Sequence, residues 1–196
     1  MGRVLLATII GAVIVFAWGA VSWTVLDWHW NVIRTAPNGE QIGERLKEDL
    51  PRSGVYFLPM PPHDPANPSA GVSEAEQAAW AERHRAGPVA MILIRREGVE
   101  AMDPMVFARG FGIAAAGAFF MSCIARICSA AKLGLLSRWA VTVFMPLFAS
   151  AAVIATHWNY FYQPTDWAIH MAADVTVGWE LEGFANAAIT GPKKKP

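Results

Sequence analysis

Four long apolar segments, separated by polar stretches, dominate the pattern of hydrophobic and polar positions along the chain. The first lies within residues 1–26 and has no charge between positions 4 and 26. A helix needs about 20 apolar residues to cross a hydrocarbon core ~30 Å thick. The pattern predicts an all-α membrane protein with four transmembrane helices and a small α+β extracytoplasmic insert between helices 1 and 2. Helices 2, 3 and 4 are expected at about residues 104–131, 139–158 and 167–190.

The first apolar segment is predicted to be a retained helix and not a cleaved signal peptide. A signal peptide has an apolar run of about 7–15 residues before a small-residue cleavage site. The run here is longer and leads into an aromatic stretch. Tryptophan is enriched where a helix meets the membrane–water interface. Four tryptophans at this end are also candidates for contact with a partner protein: Trp18, Trp23, Trp28 and Trp30.

Residues 27–103 are polar and irregular and predict the small insert. A capping residue followed three positions later by Glu or Gln predicts the start of a helix. This pattern occurs at Asn38 with Gln41 and at Ser73 with Glu76. The expected elements are helices near residues 39–50 and 74–86 and strands near residues 54–58 and 88–95, with the two strands paired.

Basic residues predict the orientation of the four helices. Lys and Arg in short loops favour the cytoplasmic side of a membrane. Three basic regions lie on one side only if the chain crosses the membrane four times: Arg3, the turn between helices 2 and 3, and the basic tail at residues 191–196. We therefore expect a bacterial inner-membrane protein with both termini in the cytoplasm. Residues 27–103 would then be periplasmic or extracellular.

Composition supports a membrane protein and excludes several other classes. The chain has 196 residues, of which 54% are hydrophobic and 16% are charged, whereas a soluble domain carries about 25% charged residues. Its 16 basic and 16 acidic residues cancel, which argues against a nucleic-acid-binding face. The sequence contains no nucleophile elbow, phosphate-binding loop, dinucleotide fingerprint or zinc signature. The expected partners are the lipid bilayer and other membrane-protein subunits, and no enzymatic activity is expected.

Acidic residues in the fourth helix give the strongest functional signal. Carboxylates within a membrane span are costly and usually face a polar partner inside the bundle. The helix contains Asp174, Glu180 and Glu182. Because helices 2 and 4 would run in the same direction, Arg109 is expected to reach Asp174, and Arg126 to reach Glu180 or Glu182. The network is either a proton or ion path, or a set of ion pairs that fix helix 4 in the bundle.

Three histidines are weaker candidates for binding a cofactor. His29, His157 and His170 are all expected near the outer membrane surface. Imidazole is the commonest metal ligand, so together they would hold a metal, contact haem or (bacterio)chlorophyll, or line a quinol pocket. The alternative is that water or a backbone carbonyl satisfies each ring. Their spacing matches no metal-binding motif, and no cofactor or metal is predicted.

Three stretches resemble a family of small bacterial integral membrane proteins of unknown function. They are FAWGAVSWTVLDWHW (16–30), APNGEQIGERL (36–46) and SGVYFLP (53–59), and the pattern ADVTVGW at residues 173–179 is similar as well. The resemblance covers most of the chain and implies a four-helix inner-membrane protein with an external insert. It implies no activity. This chain departs from the family's pattern at Asp27, where proline is expected.

Three hypotheses for function follow. The first is a non-catalytic accessory subunit of a larger bacterial membrane complex, respiratory or photosynthetic. The second is a small proton- or ion-coupled transporter that uses the acidic residues of helix 4. The third is a redox subunit that binds a cofactor through the outer histidines.

Overall fold

The chain forms two compact units in a computed structural model that describes residues 1–64, 67 and 71–192. The helical unit comprises Met1–Arg34, Glu100–Trp158 and the chain from Gln163 on. The insert unit comprises Thr35–Val99 together with Asn159–Tyr162. Residues 193–196, which hold most of the predicted basic tail, lie outside the described residues.

Most of the described chain is helical, with one small sheet. The helices are α1 (Gly2–Thr24), α2 (Gly39–Asp49), α3 (Glu74–Ala86), α4 (Pro104–Ala130), α5 (Leu135–Ala149), α6 (Ala155–Tyr160) and α7 (Thr165–Ile189). The strands are β1 (Gly54–Leu58) and β2 (Ala90–Ile94). A short 3₁₀-helix covers Trp28–Asn31, and a π-helical segment covers Ser150–Ile154 between α5 and α6.

Three helices are long and apolar enough to cross a membrane. They cover Gly2–Thr24, Pro104–Ala130 and Leu135–Tyr160. Asp103 caps the second of these, since its side chain accepts a bond from the backbone N–H of Met105, and proline follows it at the first helical position. The third begins four residues before the predicted Trp139, because hydropathy alone did not assign Arg138 to a helix. This third helix consists of α5 and α6, which the π-helical segment joins into one continuous helix.

α7 is long enough to cross a membrane, at 25 residues and therefore about 37 Å. It is not among the three helices above because Asp174, Glu180 and Glu182 lie within it. α7 nevertheless packs inside the helical unit, against α1, α4 and α5, while α1 also packs along α4. The charged helix therefore packs against all three of the apolar ones.

Small residues allow the helices of this unit to approach closely. Gly11, Gly178 and Gly183 each lie where a Cβ atom would come within 2.6 Å of a side chain on another helix. Contacts of this kind are typical of helices that pack in a membrane. The buried apolar residues are also mostly small and include Ala7, Ala12, Ala114, Ala118, Ala125 and Ala187.

The insert unit contains the two strands and the helices α2 and α3. β1 and β2 pair antiparallel, from Gly54 opposite Ile94 to Leu58 opposite Ala90. Ser73 and Glu76 form the expected capping box at α3. α2 begins where predicted, but the Asn38 side chain makes no capping hydrogen bond, so the capping box expected there does not form.

Four residues from a distant part of the chain complete the insert unit, and the sequence pattern did not predict this. Asn159–Tyr162 cover the end of α6 and the two residues after it, yet they pack with the insert. The Phe161 ring lies 5.9 Å from that of Phe57, and the Tyr162 ring lies 5.2 Å from that of His84.

Candidate functional site

The helical unit contains two clusters of buried polar side chains, and both involve α7. The Asp174 cluster consists of Trp18, Ser22, Trp28, His29 and Asp174. Trp18 and Ser22 are one turn apart on α1 and share a face, whereas Trp28 and His29 come from the 3₁₀-helix.

Asp27 reverses the chain between α1 and the 3₁₀-helix. Its φ of 53° lies in the left-handed region, which Asp tolerates better than most residues do. Proline, with φ fixed near −65°, could not adopt this conformation. Asp27 therefore permits this turn, and proline at the same position would not.

Asp174 accepts hydrogen bonds from two side chains of α1. Its Oδ1 accepts from Ser22 Oγ at 2.6 Å and from Trp18 Nε1 at 2.8 Å. Ser22 Oγ in turn accepts from Trp28 Nε1 at 2.9 Å and lies 3.0 Å from His29 Nε2. His29 Nε2 is 3.7 Å from Asp174 Oδ2. The carboxylate is therefore held mainly by uncharged donors.

The hydrogen-bond donors in this cluster determine the tautomer of His29. A hydroxyl has one proton, and Ser22 donates it to Asp174. An indole N–H only donates, so Trp28 uses one acceptor position of Ser22. His29 Nε2 must then carry a proton and donate it to Ser22. The buried Nδ1 has no hydrogen-bond partner among the residues that the structure describes. This differs from a hydrolytic Ser–His–Asp triad, in which serine gives its proton to histidine.

Aromatic rings enclose His29. Trp23 stacks on its imidazole with ring centroids 4.0 Å apart, and Trp28 approaches it edge-on at 5.4 Å. Trp28 also lies 6.1 Å from the ring of His170. Of the four tryptophans proposed as partner contacts, Trp18 and Trp28 are half-buried in the cluster, whereas Trp23 and Trp30 are exposed.

The three candidate histidines do not form a ligand set. His29 belongs to the Asp174 cluster, and His170 Nδ1 lies 2.8 Å from the backbone oxygen of Asp166. His157 lies in α6. In the described part of the chain, no group of three or more His, Cys, Asp or Glu residues is placed to hold a metal ion.

The Glu182 cluster lies deeper in the bundle, where α7 meets α1 and α4. Glu182 and Asn186 are one turn apart on α7, and both are fully buried. Asn186 Nδ2 donates to Glu182 Oε1 and lies 3.4 Å from the backbone oxygen of Ala118. A Cβ atom on Gly11 would come 2.6 Å from Glu182 Oε1, so only glycine leaves room for the carboxylate.

The predicted ion pairs of α7 require a correction. Arg109 and Arg126 are both exposed on α4, and neither pairs with an acidic residue of α7 among residues 1–64, 67 and 71–192. Asp174 is instead satisfied by side chains of α1. Glu180 is half-buried. The acidic residues are therefore inside the bundle as expected, but their partners are different.

Arg138 is the basic residue inside the bundle, although the sequence indicated only a cytoplasmic loop residue. Its side chain is 5% exposed. Nε and Nη2 both donate to the backbone oxygen of Ala187, at 3.0 and 2.9 Å, and Nη1 donates to that of Leu133 at 2.6 Å. Carbonyls in the last turn of a helix lack intrahelical partners, so Arg138 caps the end of α7.

Asn186 was also missed, although the sequence contained a signal for it. Polar or small residues recur at every fourth position through α7 and its C-cap residue, so each lies one turn from the next in a strip that winds around the helix. All of them are buried or half-buried: His170, Asp174, Gly178, Glu182, Asn186 and Thr190.

Comparison with known protein families, with curated proteins and with solved structures finds no match to this chain. The resemblance carried by residues 16–30 therefore stays a prediction.

Proposed function

We propose that this chain is a four-span membrane protein and serves as a non-catalytic accessory subunit of a larger bacterial membrane complex. The observation that carries the proposal is the exposed surface of α7. From Ile169 onward, every exposed residue of this helix is apolar: Ile169, Val177, Leu181, Phe184 and Ala188. Its polar residues in the same stretch are turned inward.

This distribution is the reverse of that in a helix at the surface of a soluble protein, whose polar face meets water. It suits a helix surrounded by lipid or by other membrane subunits. The other long helices also expose large apolar side chains, such as Ile9, Ile113 and Phe148. Exposed apolar surface on this scale marks contact with a membrane or a protein. Both points support a fourth crossing by α7.

A fourth crossing would place the chain's basic ends on one side. Arg3, Lys132 and the lysines at 193–195 would then all face the cytoplasm, as the distribution of Lys and Arg in membrane proteins favours. The insert unit would lie on the outer side of a bacterial inner membrane.

A structural role is supported by how the buried polar groups are used. Asp174 joins α7 to α1, and Arg138 joins α5 to α7. These bonds hold helices together. They also occupy most of the donors of these side chains, which are then not free to bind a substrate. A buried polar network of this kind can specify one arrangement of helices.

The insert unit supplies a surface for a partner subunit. Val55 and Leu93 face each other across the two strands and are 56% and 72% exposed. A two-stranded sheet is marginally stable by itself. Contact with another subunit would cover these side chains and stabilise the sheet.

Gentle extraction tests the proposal. The tagged chain, solubilised in mild detergent, is expected to migrate on a native gel as one stoichiometric complex with other membrane proteins. Leu93→Glu should release the chain from the complex, because it places a charge in the proposed contact. Gln77→Glu adds the same charge at an exposed polar position of α3 and should leave the complex intact. Recovery of the wild-type chain as a stable monomer would overturn the proposal.

A further inference from the structure

Glu182 is a fully buried carboxylate without a positively charged partner. Among the described residues, no Lys, Arg or His lies within ion-pair distance of it. Arg138, which is also buried, is engaged by the backbone oxygens of Ala187 and Leu133. Burying a carboxylate charge costs several kcal/mol unless it is compensated. The site therefore requires a positive charge that the described residues do not supply.

Three buried oxygen atoms in this region have no hydrogen-bond partner in the described chain: Glu182 Oε2, Asn186 Oδ1 and Ser122 Oγ. Their residues are all fully buried, and such atoms are normally paired. A carboxylate oxygen and an amide oxygen are both acceptors and cannot bond to each other. Turning the Asn186 amide over would bring its oxygen against Glu182 Oε1. Rearrangement within the pair therefore does not satisfy them.

Helix geometry brings the three residues to neighbouring positions in the bundle. Asn186 Nδ2 approaches the backbone oxygen of Ala118 on α4. Ser122 is one turn further along α4, and helical side chains lean toward the N-terminus of their helix. Gly11 of α1 borders the carboxylate from the other side.

We propose that Glu182, Asn186 and Ser122 form a buried binding site for one monovalent cation, either a sodium ion or a proton. A single positive charge neutralises the single carboxylate, whereas a divalent ion would leave an excess charge in a medium of low dielectric constant. Oxygen-only ligands suit hard cations and not thiolate- or imidazole-seeking metals.

Other titratable groups do not account for the site. Arg138 of α5 is engaged by the backbone oxygen of Ala187. The other residues of α1, α4 and α5 in contact with this part of α7 include Gly11, Ala118 and Thr142, and none of these three titrates in the ordinary pH range. On α7 itself, Glu180 is half-buried two positions away, and Asp174 is satisfied by α1. The inference does not depend on the proposed role as a subunit, because the purified chain alone tests it.

The sodium arm of the test measures thermal unfolding of the purified full-length chain in detergent. Sodium chloride replaces choline chloride at constant ionic strength. If sodium is the ligand, it raises the unfolding midpoint of the wild type and of the control Glu180→Gln, but not that of Glu182→Gln. Ser122→Ala should weaken the sodium response several-fold, which keeps this arm decisive even if Glu182→Gln fails to fold.

The proton arm uses infrared spectroscopy of the same samples without sodium. If a proton is the ligand, the wild type shows the carbonyl stretch of a protonated carboxyl, labelling with ¹³C-glutamate shifts that band, and Glu180→Gln retains it. Glu182→Gln lacks it. A wild-type chain with neither a sodium response nor a protonated glutamate band would overturn the proposal.

Discussion

Ser22 Oγ donates to Asp174 Oδ1 across 2.6 Å and so joins the first long helix of the chain to the last. Trp18 donates to the same oxygen from one turn earlier on α1. Together these bonds place the charge of α7 against uncharged donors of α1. The hydrogen-bond acceptor that Asp174 provides, and not its negative charge, is therefore expected to contribute most to stability.

Replacing Asp174 separates these two contributions. Asp174→Ala removes the acceptor of Ser22, whereas Trp18 Nε1 keeps the backbone oxygen of residue 174, 3.1 Å away in the wild type. A buried donor left unsatisfied costs about 1–3 kcal/mol. Asp174→Asn keeps an oxygen acceptor and should cost clearly less. Unfolding in mild detergent, followed by tryptophan fluorescence, measures both. An equal loss in the two variants would show that the charge is what holds α1 to α7.

Two glycines on α4 should respond oppositely to substitution by alanine. A Cβ atom on Gly117 would overlap the ring of Trp179 on α7, so Gly117→Ala should separate the helices and lower stability. No atom of the described residues outside the helix's own backbone lies within 4 Å of the Cβ position of Gly112. Gly112→Ala should therefore be neutral or stabilising by up to about 1 kcal/mol, since alanine favours the helix. Thermal unfolding of the two variants checks the difference in sign.

The complete guanidinium group of Arg138 should be needed to cap the end of α7. Arg138→Met leaves the carbonyls of Ala187 and Leu133 without their donors and should cost about 1–3 kcal/mol. Arg138→Lys keeps the charge, but a single ammonium cannot reproduce the planar fork, so an intermediate loss is expected. Hydrogen exchange at the last turn of α7 should rise in the same order. Wild-type protection in Arg138→Met would contradict the capping role.

Reporter fusions test the proposed fourth crossing. Alkaline phosphatase needs disulfides and is active only outside the cytoplasm, whereas green fluorescent protein reports a cytoplasmic location. Fusions after Val99 and after Gln163 should give active phosphatase, and a fusion after Pro196 should give fluorescence. The same side for the last two would mean that α7 does not cross.

The capping box of α3 predicts a local pH dependence. The Ser73 hydroxyl, and then its backbone N–H, donate to the Glu76 carboxylate and lower its pKa below the usual 4.5. Because the folded pKa is lowered, this stabilisation of α3 is present above pH 4.5 and is lost as the pH falls through the folded pKa. A nuclear magnetic resonance titration of ¹³C-labelled Glu76 should give a higher pKa in Ser73→Ala than in the wild type.

The hydrophobic pattern predicted most elements because apolar runs and capping residues are local signals. It could not predict the partners of Asp174, because the rule that pairs charges with charges favoured Arg109 over an indole and a hydroxyl. Arg138 was assigned to a loop for a related reason, since nothing local reveals that its guanidinium lies under the end of α7. The position of Asn159–Tyr162 depends on contacts between distant parts of the chain, which periodicity does not encode.

The bond between Ser22 and Asp174 also has a consequence for biosynthesis. In the four-span arrangement that we propose, α7 is the last helix to leave the ribosome, and an aspartate near the centre of a helix costs about 2.5–3.5 kcal/mol on insertion scales. The side chains that donate hydrogen bonds to this aspartate lie on α1, which is the first helix to be made. α7 is therefore expected to insert into the bilayer by packing against the helices that were made before it. A chain that stops before Thr165 would lack this acceptor, and Ser22 Oγ would lose its partner on α7.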